Sequence, residues 1–464
     1  MSSELKPVAP KSSVPRELIE SITGCKVLSH IVEDGSKPGD NYMSVLYSVS
    51  AEVIPPGGSE ADKETRHYLL KCYPGHPARQ AYLNKSNIFN NELSFYTVWV
   101  KELVEFQTRD VGLSKDKVIV PAFPPCVGGK TVNFKDCEPE ALTKVYSPLD
   151  NFIMMVDLRK TWGFTMAERT KGFDPEHVEL AFTELATIHA LSWAYRNRVE
   201  YDLIKKFPFL QVDFEEEEMQ MWKNIIYSSI GTAVSTMDSV LGEGNHLSKS
   251  TEAFREVVMK IIEYFIDQTE GAEHALWELH RDPPKDLVEA SVGEKPWRII
   301  SHGDSWCNNM LFQHNKVTKK AERIMLVDFQ LTRDACPTAD LVYLVYTSTT
   351  LEYRKAHLDE ALQLYHDRFN EVCSLMGVET LPDFNMTSLK RRFHRSKLMG
   401  YMMATIGLPI MLIQKGEEIN LEDFDQNVNI EEMMTQAFGN KNEGQEYKKR
   451  IIDVAQELYD DGVI

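Results

Sequence analysis

The apolar residues of this chain change their spacing near residue 160, and that change constrains the fold more than any other feature. Before it they alternate: Val45, Tyr47 and Val49 in "YMSVLYSVSAEVI" repeat at every second position, the period of a strand with one buried face. The runs "CKVLSHIVE" and "RHYLLKCY" flank it, the second after the breaker "PPGG" at 55–58, and the three predict an antiparallel meander. From about Arg79 to Phe106 the apolar positions Phe89, Leu93, Tyr96 and Val100 fall four, three and four apart, which predicts a helix. "KVIVPAFPPCV" and "NFIMMVDL" predict two further strands. A five-stranded antiparallel sheet with one main helix packed on it is the simplest layered solution.

Beyond "TWGF" the period is helical. Val178, Phe182, Leu185 and Ile188 mark a buried stripe, as do Met219, Trp222 and Ile226, then Phe254, Val258, Ile261 and Phe265. The run "EEEE" at 215–218 reads as a solvated helix start. Only "PWRIISHGD" and "RIMLVDFQ" interrupt with β-type runs. The expected class is therefore α+β, a sheet-containing N-lobe followed by a large, mostly helical C-lobe. A length of 464 residues with 43% hydrophobic content is enough for two such cores.

The net charge of −19 argues against nucleic acid or an anionic membrane surface as partner. No apolar run reaches membrane-spanning length, and "MSSELKPVAPKSSVP" has no signal-peptide core. Seven cysteines without a CxxC pair suit reduced thiols, so a cytoplasmic protein is expected.

The chemistry concentrates in "SHGDSWCNNMLF", residues 301–312, and in "LVDFQ" downstream. Phosphoryl transfer to a hydroxyl needs a carboxylate at the attacking oxygen and hard oxygen ligands for Mg²⁺. Asp304, Asn309 five residues later, and Asp328 after an apolar strand would supply them. The bland alternative, a turn braced by Asp304 and Asn309, explains neither Asp328 nor the rest of the pattern. "LLKCYP" places Lys71 at the end of the third strand and "NELSFY" places Glu92 in the following helix, the order in which a phosphate-directed lysine and its carboxylate partner are needed. "GDNYMS", 39–44, lies between the first two strands, where backbone amides, Asn41 and Ser44 would cover phosphates, although it has one glycine and not three.

Together "HGDSWCNN", "LVDFQLTRDACPTADLVYL", "GDNYMSVLY", "NELSFY", "MVDLRKTWGF" and "ELATIHALSW" resemble the ecdysteroid kinase-like family, part of the choline kinase and aminoglycoside phosphotransferase superfamily. The resemblance implies a bilobal protein-kinase-like fold and ATP- and Mg²⁺-dependent phosphorylation of a hydroxyl on an ecdysteroid or similar hydroxylated small molecule. It implies Asp304 as catalytic base, Asn309 and Asp328 as metal ligands, Lys71 as the phosphate-binding lysine held by Glu92, and "FIMMVDL" as a hinge binding adenine through the backbone near Val156 and Leu158. It implies that Asp340 supports the catalytic loop; His302 and the buried His189 are read as structural. The family hinge reads Glu-Asp-Leu, whereas Val156 stands here before Asp157.

The organisation expected is a disordered tail over 1–14, a nucleotide-binding N-lobe over 15–152, a hinge over 153–160, and a C-lobe over 161–464 with a helical acceptor-site insert at about 200–290. A monomer or weak dimer is expected. Met219, Trp222, Tyr227, Met237 and Trp277 could line an apolar acceptor pocket, although at helical spacing such residues are more often plain core. A protein kinase is disfavoured: DFQ replaces DFG, no APE follows, and only twelve residues carry the chain from Asp328 to Asp340. A choline or aminoglycoside kinase, or a catalytically silent binding protein of the same fold, remain the other readings.

Overall fold

The computed structural model describes residues 14–36, 43–211, 215–266, 272–413, 421–438 and 444–464. The expected tail thus lies, except for Val14, outside the described residues. The chain divides into two compact units, one of residues 1–98, 123–165 and 418–433, the other of residues 99–122, 166–417 and 434–464. Residues 99–122, expected in the N-lobe, therefore group with the second unit.

The first unit is built on five strands, β1 (Lys26–Asp34), β2 (Val45–Ile54), β3 (Glu64–Cys72), β4 (Cys126–Lys130) and β5 (Phe152–Val156), in the order β1-β2-β3-β5-β4 with antiparallel pairing. Alternation sorts its faces. Tyr47, Val49, Ala51 and Val53 of β2, Tyr68, Leu70 and Cys72 of β3, and Phe152 and Met154 of β5 share one core with Ile19 from the helix α1 (Arg16–Thr23). Lys71, between Leu70 and Cys72, must point to the opposite face. In register it sits between Leu46 of β2 and Ile153 of β5, in the middle of the sheet.

The single helix expected over 79–106 is broken. It forms as α2 (Pro77–Ser86), α3 (Ile88–Ser94), a π-helical turn over Phe95–Trp99, and α4 (Val100–Arg109). Asn87, at φ +57°, ends α2 with its amide on Leu83 O and starts α3; asparagine is among the few residues that tolerate this left-handed conformation. The period of 3.6 survives on both sides of the break, which is why the pattern concealed it. "KVIVPAFPPCV" is corrected too: only its last residues join a strand. Pro121, Pro124 and Pro125 have no ladder donor, and Ile119 instead exchanges both backbone bonds with the side chain of Gln107, at 2.7 and 2.8 Å.

In the second unit the helix Pro175–Arg198 buries Val178, Phe182, Leu185 and Ile188, the stripe expected. The acidic run is only partly solvated, for Glu218 is buried and closes a capping box on the Glu215 amide at 3.0 Å. The two β-type runs do not pair with each other. Ile299–Ser301 pairs with Arg333–Ala335, and Ala321–Leu326 pairs with Met310–His314, both antiparallel. The helix Thr338–Ser348 is buried along its whole length and packs against Met386–Met411, where Gly400 makes room for the Tyr346 ring. All seven cysteines are free thiols. Among the described residues no helix is long and apolar enough to cross a membrane.

Candidate active site

The first unit brings Lys71 and Glu92 together. Lys71 Nζ lies 2.6 Å from Glu92 Oε2, with the two residues 4% and 0% exposed. Strand β3 delivers the lysine and α3 the glutamate. Ser44 directly precedes β2 and is buried, its carbonyl accepting from Arg79 Nη2 at 3.4 Å. Asn41, with the rest of 39–42, lies outside the described residues. At the end of β5 the Val156 amide already donates to Pro125 O at 3.0 Å, so it is not available to a ligand. Leu158 opens the helix Leu158–Trp162, where an amide has no acceptor within the helix. Asp157 caps that helix and accepts from Ser48 Oγ at 2.6 Å; burial opposes its ionisation, but Ser48 and Arg159 hold its carboxyl below the usual range. Its work is structural.

The second unit brings Asp304, Asn309 and Asp328 together around one loop. Asn309 turns its amide nitrogen to Asp304, donating to Oδ2 at 2.7 Å and to the backbone O at 2.9 Å. That leaves the amide oxygen on the other side. Met310 pairs with Leu326, and the Val327 amide donates to Asn309 O at 3.0 Å, so Asp328 arrives beside Asn309. Asp328 stands at φ +67°, in the left-handed region that aspartate and asparagine enter more readily than other non-glycine residues.

Asp340 organises this loop. Its buried carboxylate accepts the amides of His302 at 2.7 Å and Gly303 at 3.0 Å, and its backbone O accepts from Ser305 Oγ at 2.8 Å. His189 donates to it from Nε2 at 3.0 Å, with its Nδ1 against Tyr365 OH at 2.9 Å. Burial by itself would raise the Asp340 carboxyl; the His189 bond and its neighbours outweigh this and hold it below the usual range. His302 receives the Asp304 amide on Nδ1 at 3.3 Å, so its Nε2 carries the proton donated to Val327 O at 3.0 Å. Burial lowers its pKa and keeps it neutral. Gly303 is required: it sits at φ +80°, and a Cβ there would lie 1.9 Å from Leu331 O.

Two residues that sequence reasoning did not assign belong to the same constellation. Tyr343 donates its hydroxyl to Asp304 Oδ1 at 2.7 Å, and Arg333 donates to Gly303 O at 3.1 Å. The one available signal was Tyr343 lying three residues after Asp340 on a helix, hence on the same face. Burial, and then the Asp328 charge, push the Asp304 carboxyl up to about 6 against the Tyr343 and Asn309 hydrogen bonds. A half-buried carboxylate near 6, fixed on both oxygens, can accept a proton close to neutral pH.

The donor chemistry fits a hard cation. Asn309 and Asp328 offer oxygen, and among the described residues no group of three or more His, Cys, Asp or Glu is arranged for a metal. Mg²⁺ suits such a sparse set, since it keeps waters and phosphate oxygens as its other ligands. Of the aromatic and methionine candidates, Met237 and Trp277 are core residues, Trp277 packing on His280 and His394. Met219, Trp222 and Tyr227 are half-buried, with Lys223 and Arg255 over the Tyr227 ring.

A family model described as the ecdysteroid kinase-like family matches residues 38–378. No curated protein sequence matches the chain. Among solved structures the chain is similar to an ethanolamine kinase from Plasmodium vivax, with 10% identity, 88% of this chain and 81% of that one covered, and a TM-score of 0.34. It is similar to macrolide 2'-phosphotransferase MphH from Brachybacterium faecium, with 10% identity, 83% and 89% covered, and a TM-score of 0.32. Choline kinase LicA from Streptococcus pneumoniae is also similar, with 12% identity, 83% and 96% covered, and a TM-score of 0.30.

Proposed function

Because this chain belongs to the ecdysteroid kinase-like family, we propose that it is an ATP-dependent small-molecule kinase that phosphorylates a hydroxyl of an ecdysteroid or a similar hydroxylated apolar metabolite. The observation that carries the reading is Asp304, held on one carboxylate oxygen by Asn309 and on the other by Tyr343, on a loop clamped by Asp340. Asp304 accepts the acceptor's hydroxyl proton as its oxygen bonds to the γ-phosphorus and the bond to the β-phosphate oxygen breaks, releasing ADP. Lys71, kept in place by Glu92, binds nucleotide phosphate. Mg²⁺, held through Asn309 Oδ1 and Asp328, would neutralise charge on the phosphates.

Asn41 and Ser44 belong to the phosphate-covering turn in this reading. Adenine is read by backbone groups at Leu158, since the Val156 amide is engaged with Pro125. The partner is a small molecule, neither nucleic acid nor membrane, and the protein acts in the cytoplasm as a monomer or weak dimer. The test is ATP consumption with the purified chain against ecdysteroids, hydroxylated plant metabolites, choline and an aminoglycoside. Turnover with an ecdysteroid supports the acceptor class; turnover with choline or the aminoglycoside alone replaces it. No turnover with any acceptor would mark a silent binding protein.

A further inference from the structure

Resting on that reading, we propose that Tyr343 is a positioning residue for the transfer, its hydroxyl fixing the rotation of the Asp304 carboxylate so that one edge of it faces the acceptor hydroxyl. Asn309 alone cannot do this. Its Nδ2 bridges Oδ2 and the backbone O of Asp304, which anchors one oxygen, but the terminal torsion of an aspartate is broad and a single anchor leaves it wide. Tyr343 supplies the second anchor, on Oδ1 at 2.7 Å, from a different element. Two donors on two oxygens define the carboxylate plane.

The same helix turn holds both the loop and the base. Asp340 grips the His302 and Gly303 amides, and Tyr343, one turn on in Thr338–Ser348, grips the side chain of the next residue but one from His302. Tyr343 is 5% exposed, so its ring is set by packing. Burial and the adjacent Asp304 charge push its phenol well above the usual range, so it stays a donor. The residue does not take the proton; it aims the group that does. Misplacing a reacting group by about 1 Å costs on the order of 100-fold in rate.

Tyr343→Phe removes the hydroxyl and keeps the ring, separating aim from packing. With ATP, Mg²⁺ and the best acceptor of the panel, the variant is expected to lose roughly 10- to 100-fold in kcat. The KM for ATP stays at the wild-type value, and the thermal unfolding midpoint falls by no more than the loss of one charge-assisted hydrogen bond. In an Asp304→Asn background the same change is expected to cost nothing further, because the carboxylate it aims is gone. A Tyr343→Phe enzyme with wild-type kcat, or one losing the same factor in both backgrounds, overturns the proposal. A wild-type chain that transfers phosphate to no acceptor overturns the kinase reading itself, and is told apart because the unsubstituted protein then fails.

Discussion

Asp340 Oδ2 accepts the backbone amide of His302 at 2.7 Å from 38 positions away, and the same oxygen accepts His189 Nε2 at 3.0 Å. One buried carboxylate thus fixes the start of the loop on which Asp304 stands. Asp340→Asn keeps the shape but turns an NH₂ toward donors or removes the charge from three bonds. Charge-assisted hydrogen bonds contribute about 1.5–3 kcal/mol each against about 0.5–1.5 for neutral ones, so removing the charge from three of them is expected to cost roughly 3 kcal/mol in chemical denaturation, together with loss of transfer. A variant as stable as the parent would mean that the loop is held by packing and not by Asp340.

Lys71 and Glu92 make a second test, because breaking a buried ion pair differs from replacing it. Lys71→Met or Glu92→Leu removes one member of a buried ion pair and is expected to cost about 3–5 kcal/mol. The double substitution should recover most of that stability while leaving ATP turnover abolished. Equal instability of single and double variants, measured by urea denaturation, argues against this account.

Asp304 and Asp328 should separate chemistry from nucleotide binding. Asp304→Ala is expected to reduce phosphorylation by orders of magnitude with ATP binding retained, and Asp328→Ala to weaken Mg²⁺-ATP binding itself, both read by calorimetry beside kinetics. Unchanged turnover in Asp304→Ala sinks the assignment. The sign of the pH effect follows from the raised carboxyl, which is protonated and inactive as a base below about 6. A bound cation lowers that value, so the acid limb of kcat belongs at or below pH 6. A limb that appears only above pH 7 assigns the base to another group.

His280 and His394 predict acid lability. Burial lowers both imidazoles to about 4, and their rings stack beside Trp277. In the window between 6.5 and 4 the unfolded chain binds more protons than the folded one, so stability present above 6.5 is lost as pH falls toward 4. Denaturation midpoints measured from pH 7 to 4 should decline. Replacing His394 with Phe, which stacks without titrating, should flatten the decline; an unaltered slope removes these residues as its cause.

Much of this was legible in the linear chain because it is local. The period of two in β2 set its buried face, and Asp304 and Asn309, five residues apart, meet within one loop. Other features were not. Asn87 breaks a helix without disturbing its apolar period, and Ile119 trades ladder bonds for Gln107, a choice that depends on which side chain lies alongside. The Val156 amide reads as available until the turn at Pro125 is placed beside it. Met237 and Trp277 fit both a pocket wall and, more often at helical spacing, a core, and packing made them core.

The amino-acid sequence by itself determined most of the elements and the chemical inventory: the strands β1, β2, β3 and β5, a mostly helical remainder, a lysine and glutamate in order, and the Asp304, Asn309 and Asp328 set. Tertiary structure alone decided the second anchor on Asp304 and the clamp on its loop. Tyr343 lies 39 positions away and His189 binds Asp340 across 151, contacts that no short-range period encodes. The physical reason is that strand and helix patterns arise from neighbours along the chain, whereas a hydrogen bond to a buried carboxylate depends on which helix faces settle against which loop.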